Sequence, residues 1–184
     1  NQTLPYKIIL GSSMGAINGV LLSAMLRKGP ETALHALEDF WTRRTFENTF
    51  GGSISLTLMR SLRIAAVQYL SPGPKATSSA IFDPTPLRQL IDEVLFDFGG
   101  ARVENHPADL HAIGVMTTME ADIRKGLLIV NTKDRANENA LLQGAHFDIH
   151  EVNHLSSSHA FASAALPSVM PPVEITLEEK RVRL

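Results

Sequence analysis

The sequence contains no cysteine, which excludes disulfide bridges, thiol nucleophiles and cysteine-ligated metal. An excess of one charge is also missing: 17 Lys and Arg stand against 19 Asp and Glu, for a formal net charge of −2. Aromatic and basic residues are not interleaved either, so nothing favours nucleic-acid binding. No apolar run reaches the roughly 18–20 residues that span a bilayer. The most apolar stretch, Ala160 to Val173, is interrupted by Pro167, Pro171 and Pro172. No signal-peptide pattern, internal repeat or second-domain break is legible. What is present is 184 residues, 44% apolar and 20% charged, which suits one globular domain with a substantial core.

Gly11-Ser12-Ser13-Met14-Gly15 fits G-x-S-x-G. Three fixed positions recur by chance in roughly 6% of chains this long, so the flanking residues decide its meaning. Before the motif, Tyr6 to Leu10 is β-prone; after it, Ile17, Val20, Leu21, Ala24, Met25 and Lys28 recur at helical spacing. That helix, from Ala16 to Lys28, stops at Gly29-Pro30. Strand, glycine turn and helix make up a nucleophile elbow. A serine at so tight a turn needs neighbours without side chains. It then projects Oγ at a helix N-terminus, where backbone N–H groups can stabilise an oxyanion. Ser13 is the candidate nucleophile. The bland alternatives are a Gly/Ser loop and an anion-binding helix start.

The rest of the chain reads as α/β, with a mixed, largely parallel sheet flanked by helices. A second helix spans Glu31 to about Arg44, with Ala33, Leu34, Leu37, Phe40 and Trp41 apolar, and Phe46 to Ser53 is a glycine-containing loop. Leu56 to Leu70 is basic and amphipathic, with Met59, Leu62, Ala66, Val67 and Leu70 apolar beside Arg60 and Arg63. It is read first as a helix burying its apolar face, and second as a lid or a lipid-surface contact. Ser71 to Ser79 is a loop rich in Pro, Gly and Ser. Asp83 caps a helix with Pro84 in its first turn, running to about Phe96 with Leu87, Leu90, Ile91, Val94 and Leu95 inward. Leu110 to Met119 and Lys125 to Thr132 form a hairpin, Phe147 to Val152 a strand, and Ser157 to Ala165 a helix. Glu174 to Leu177 and Arg181 to Leu184 are two short strands around a polar turn.

Gly11-Ser12-Ser13-Met14-Gly15-Ala16-Ile17-Asn18-Gly19 resembles the nucleophile segment of patatin-like phospholipases. Ala162-Ser163-Ala164-Ala165-Leu166-Pro167, followed by Pro171-Pro172-Val173-Glu174-Ile175, is similar to a second segment of that family. Ile81 to Arg88 is similar to a segment of its bacterial members, and the match is weak over Phe46 to Ser79. The resemblance implies a three-layer α/β fold and a lipid acyl hydrolase that uses a Ser–Asp dyad without histidine, metal or organic cofactor. It makes Ser13 the nucleophile, Gly11 and Gly15 the small residues of the elbow, and the Met14 amide an oxyanion donor. The partners it implies are a lipid or ester substrate and a peripheral membrane surface, with a location in the cytoplasm or against a membrane.

Two further motifs of that family have no counterpart here: a glycine-rich oxyanion loop before the serine, and an Asp-Gly-Gly or Asp-Gly-Ala segment after Ile175. The chain starts at Asn1 and ends at Leu184, so the reading is of one domain incomplete at both ends, with no catalytic aspartate of its own. Turnover of an activated ester by these 184 residues is expected to be near background.

Three other constellations compete. His146, His150 and His154 would align on a helix as metal ligands, but Phe147 and Ile149 alternate as in a strand. A strand puts His146, Asp148 and His150 on one face, which reads as a solvated polar face before a metal site. Ser13, Asp148 and His159 follow the chain order of an α/β-hydrolase triad, against the plainer reading of His159 as a residue near a helix cap. A non-catalytic lipid-binding module on the same scaffold is the third. The residues do not specify a head group, a chain length or an oligomeric state.

Overall fold

Four β-prone segments pair into one sheet in the computed structural model, which describes residues 6–51, 53–70, 81–105, 110–119, 122–133, 147–165, 169–177 and 180–184. They are β1 (Ile8–Ser12), β2 (Ala112–Met119), β3 (Asp122–Thr132) and β4 (Phe147–Glu151), in the order β1-β2-β3-β4. β1 lies parallel to β2, β2 antiparallel to β3, and β3 parallel to β4. The sheet is mixed and mostly parallel, and helices flank it: the α/β fold expected from the sequence. β5 (Glu174–Leu177) and β6 (Lys180–Arg183) form a separate antiparallel hairpin.

The described helices are α1 (Met14–Met25), α2 (Pro30–Thr42), α3 (Phe46–Phe50), α4 (Ile54–Leu70), α5 (Thr85–Asp97) and α6 (Ser157–Ala164). Side chains alternate across a strand, so Ile113, Val115, Leu127 and Ile129 all face one way. Against them pack Ile17, Val20 and Leu21 of α1 and Ala160 and Phe161 of α6, and Leu87 and Ile91 of α5 join the same core beside those two helices. Each fully buried Ile, Leu or Phe there contributes about 1.5–3 kcal/mol. Trp41 Nε1 donates to Asn18 Oδ1 at 2.7 Å, which ties α2 to α1. Ala112, Leu128 and Val130 gather on the opposite face in a second cluster, with Met116 and Ile149 against it.

Several boundaries differ from the expected ones. β1 runs two residues further, because the ladder continues through Gly11↔Val115 and Ser12↔Met116. α1 starts at Met14 rather than Ala16, and its last turn tightens to a 3₁₀ helix at Leu26–Lys28, closed by Gly29 at φ 98°. Within the expected loop at 46–53 stands α3, started by a reciprocal box in which Thr45 and Asn48 cap each other. Asn replaces the usual Glu or Gln of such a box, and that hid the signal. Pro84 rather than Asp83 is the N-cap of α5; Asp83 lies two residues before the helix, and its carboxylate accepts from the Thr85 N–H at 3.0 Å.

α4 contradicts the first reading of its sequence. Met59 is 68% exposed and Leu62 61%, while Thr57 and Ser61 are half-buried. Among the described side chains of α4, Thr57 and Ser61 are the partly covered ones, and Leu56, Leu58, Met59 and Leu62 point outward. Ala66, Val67 and Leu70 lie outside the described side chains, as does the loop expected at 71–79.

Candidate active site

At the end of β1 the backbone turns through Ser13 with φ 54° and ψ −128°, and among the described residues no other non-glycine residue has a positive φ. That region is sterically costly for a residue bearing Cβ, by about 1–3 kcal/mol, and persists only where the surroundings enforce it. Two neighbours enforce it here. A Cβ on Gly11 would stand 2.6 Å from Ala16 Cα and collide with the Gly15 carbonyl, so β1 meets the first turn of α1 where only glycine fits. The Ala16 N–H donates to the Ser13 carbonyl at 2.9 Å, closing the first turn directly behind the serine.

Above the turn there is space. A Cβ on Gly15 would meet nothing within 4 Å among the described residues. Met14, first in α1, points its side chain outward at 43% exposure. Its amide belongs to the helix turn whose N–H groups lack intrahelical acceptors, where the macrodipole favours negative charge. No described side chain hydrogen-bonds to Ser13 Oγ. The Ser13 backbone N–H donates to Ser163 Oγ at 2.8 Å, and that hydroxyl in turn donates to the Met116 carbonyl. Strand, strained serine and helix follow one another in the strand–turn–helix geometry expected from the sequence.

The family model of patatin-like phospholipase matches residues 3–180, from before β1 to the first residue of β6. The chain belongs to the patatin-like phospholipase family. That family is one of lipid acyl hydrolases, and its substrates are lipids. No curated protein matches the chain.

In this member of the family the residues of a Ser-Asp-His triad are not brought together. Asp148 lies on β4, three strands from β1. At just under 5 Å per strand step that is about 14 Å across the sheet. His159 occupies the first turn of α6, where its Nδ1 accepts from the Ser156 N–H and meets Ser156 Oγ, each at 3.0 Å. It completes a capping box, the plainer of its two readings. Burial holds His159 neutral, with its pKa lowered to about 4, and the charge of nearby His154 adds to the shift. Asp148 and His150 sit on strand β4, as the alternation of Phe147 and Ile149 indicated. His146 lies outside the described residues, among which no group of three His, Asp or Glu is placed to hold a metal.

A cleft of about 290 Å³ lies between α5, α6 and the segment leading to β5, lined by Asp83, Arg88, Phe161, Met170 and Pro172 among others. Phe161 lines it from α6 and Ala165 from the residue after that helix, and none of residues 11–15 is among its lining. No helix among the described residues is long and apolar enough to cross a membrane.

The residue missed by sequence reasoning is Ser163. It stands in the second family-like segment, but a hydroxyl that meets position 13 from 150 residues away leaves no local periodicity or cap pattern to read.

Proposed function

We propose that Ser13 is the nucleophile of a serine acyl hydrolase acting on carboxylic esters of lipids. Oγ attacks the ester carbonyl, the Oγ–C bond forms, and the bond to the alcohol oxygen breaks. The serine proton passes through a base to the departing alkoxide; water then cleaves the acyl-serine, and Oγ regains a proton. The base in this reading is an aspartate that lies outside these 184 residues, and the Met14 amide donates to the oxyanion. The observation that carries the reading is the strained backbone of Ser13 at the head of α1. Family membership supports the ester and lipid chemistry. Because the base is placed elsewhere, the 184-residue chain alone is expected to turn over activated esters near background.

The test is labelling of the full-length protein with a fluorophosphonate. Covalent modification should map to Ser13 and vanish in Ser13→Ala, together with ester turnover. Turnover retained by Ser13→Ala would remove the nucleophile from this reading.

The outward apolar side of α4 supports a second element, contact with a lipid surface. Leu58, Met59 and Leu62 are 60%, 68% and 61% exposed, with exposed Arg60 and Arg63 beside them. An apolar stripe flanked by cations suits the boundary between anionic head groups and acyl chains.

A further inference from the structure

The Ser13 N–H occupies an awkward position. The β1–β2 ladder ends at Ser12↔Met116, and α1 begins at the next residue after Ser13, so neither sheet nor helix supplies an acceptor in its regular pattern. A part-buried amide left that way is costly. Ser163 Oγ fills the gap, accepting from Ser13 at 2.8 Å and donating to the carbonyl of Met116, where the ladder stops. One hydroxyl thus stands between the end of β1 and the point on β2 where their ladder stops.

Its own position is fixed independently. On β2, the buried Thr117 hydroxyl donates to the Ala162 carbonyl at 2.8 Å, satisfying one of the acceptors that a last helical turn leaves open. Adjacent residues of β2, Met116 and Thr117, are therefore tied to adjacent residues of α6, Ser163 and Ala162. Ala160, Phe161, Ala162 and Ala164 of the same helix are buried in the core. With its proton committed to Met116, the Ser163 hydroxyl is left to accept from Ser13.

We propose that Ser163 is a positioning residue for the nucleophile: it holds the Ser12–Ser13 peptide in the strained orientation from which Oγ projects. Without the hydroxyl, only the Gly11 close approach and the Ala16 bond oppose rotation of that peptide toward a relaxed φ, which carries Oγ off its line of attack. Displacements on the scale of 1 Å cost about a hundredfold in rate. The proposal rests on Ser13 being the nucleophile, and the test separates the two.

Backbone amide exchange of Ser13, followed by NMR on the 184-residue chain, reads the hydrogen bond itself. Ser163→Ala should raise exchange at Ser13 about fivefold to tenfold, leave Val115 and Ile129 protected, and be reversed by Ser163→Thr. In the full-length protein, Ser163→Ala should slow acylation by a fluorophosphonate about 10–100-fold, with KM for a soluble ester held within about twofold. Unchanged exchange at Ser13 overturns the proposal, even if activity falls. So does a loss of protection shared by β2 and α1 alike, which would make Ser163 merely structural. Exchange raised at Ser13 with acylation unaltered overturns it too. If threonine does not fold there, exchange in the alanine variant still decides. Ser13→Ala retaining turnover would instead refute the nucleophile and leave the exchange result standing.

Discussion

Gly11 and Gly15 hold equivalent places in G-x-S-x-G, yet the surroundings make them opposites. A methyl at 11 runs into the backbone of Gly15 and Ala16, whereas a methyl at 15 meets nothing within 4 Å among the described residues. Gly11→Ala should therefore cost about 1–3 kcal/mol, as overpacking against backbone does. Gly15→Ala should stabilise α1 by roughly 0.4–1 kcal/mol, since the position is helical and the change narrows the unfolded ensemble. In the full-length protein the same methyl enlarges the residue two positions after Ser13, and ester turnover should fall at least tenfold. Urea midpoints and turnover measured side by side check both. A Gly15→Ala enzyme less stable than the parent would show that the first turn is strained at 15 as well. The sequence announced Ser13 and both glycines through a short local pattern. It was silent on their difference, which is set by whether the backbone across the turn is close, and on Ser163, whose contact depends on the entire sheet.

At the scale of elements, helices and strands with strong periodicity were legible to within two or three residues. α5 buries Leu87, Ile91 and Leu95 as its spacing required, and the β2–β3 hairpin stands where two β-prone runs flank a short turn. The missed element is α3, whose single turn and a half offers no periodicity and whose start is an unusual Thr–Asn box. α6 shows how a cap couples an element to pH. His159 is neutral in the folded chain, with a pKa lowered from 6.5 to about 4, chiefly by burial. Above pH 6.5 both folded and unfolded states are neutral there, and the contribution to stability is complete. As pH falls from 6.5 toward 4 the unfolded state binds a proton that the folded state refuses, so stability declines, by roughly 3 kcal/mol in all. His159→Gln keeps an acceptor for the Ser156 N–H and removes the titration. Its urea midpoint should change less between pH 7 and 4 than that of the parent, and its turnover at neutral pH should stay within about twofold. Abolished turnover would restore the histidine to the chemistry and favour a triad.

The whole molecule sorts its apolar surface in a way that composition cannot reveal. Ile17, Leu21, Leu87 and Phe161 vanish into one core beside the sheet, while Leu56, Leu58, Met59 and Leu62 of α4 stay more than half exposed. Periodicity identified Ile17, Leu21 and Leu87, and equally Met59 and Leu62, as parts of helical stripes; only tertiary placement decides which stripe finds a partner. An exposed stripe needs a reason, and the contact with a lipid surface proposed above supplies one. Each arginine near an anionic surface contributes about 1 kcal/mol to binding, screened by salt. Reversing both, Arg60→Glu with Arg63→Glu, should weaken co-sedimentation with vesicles containing anionic phospholipid by at least about tenfold and leave hydrolysis of a soluble ester unchanged. Replacing Leu58 and Leu62 by Ser should weaken binding to zwitterionic vesicles as well, since the loss there is of apolar burial rather than charge. If neither pair of changes alters vesicle binding, α4 is not the membrane-facing element.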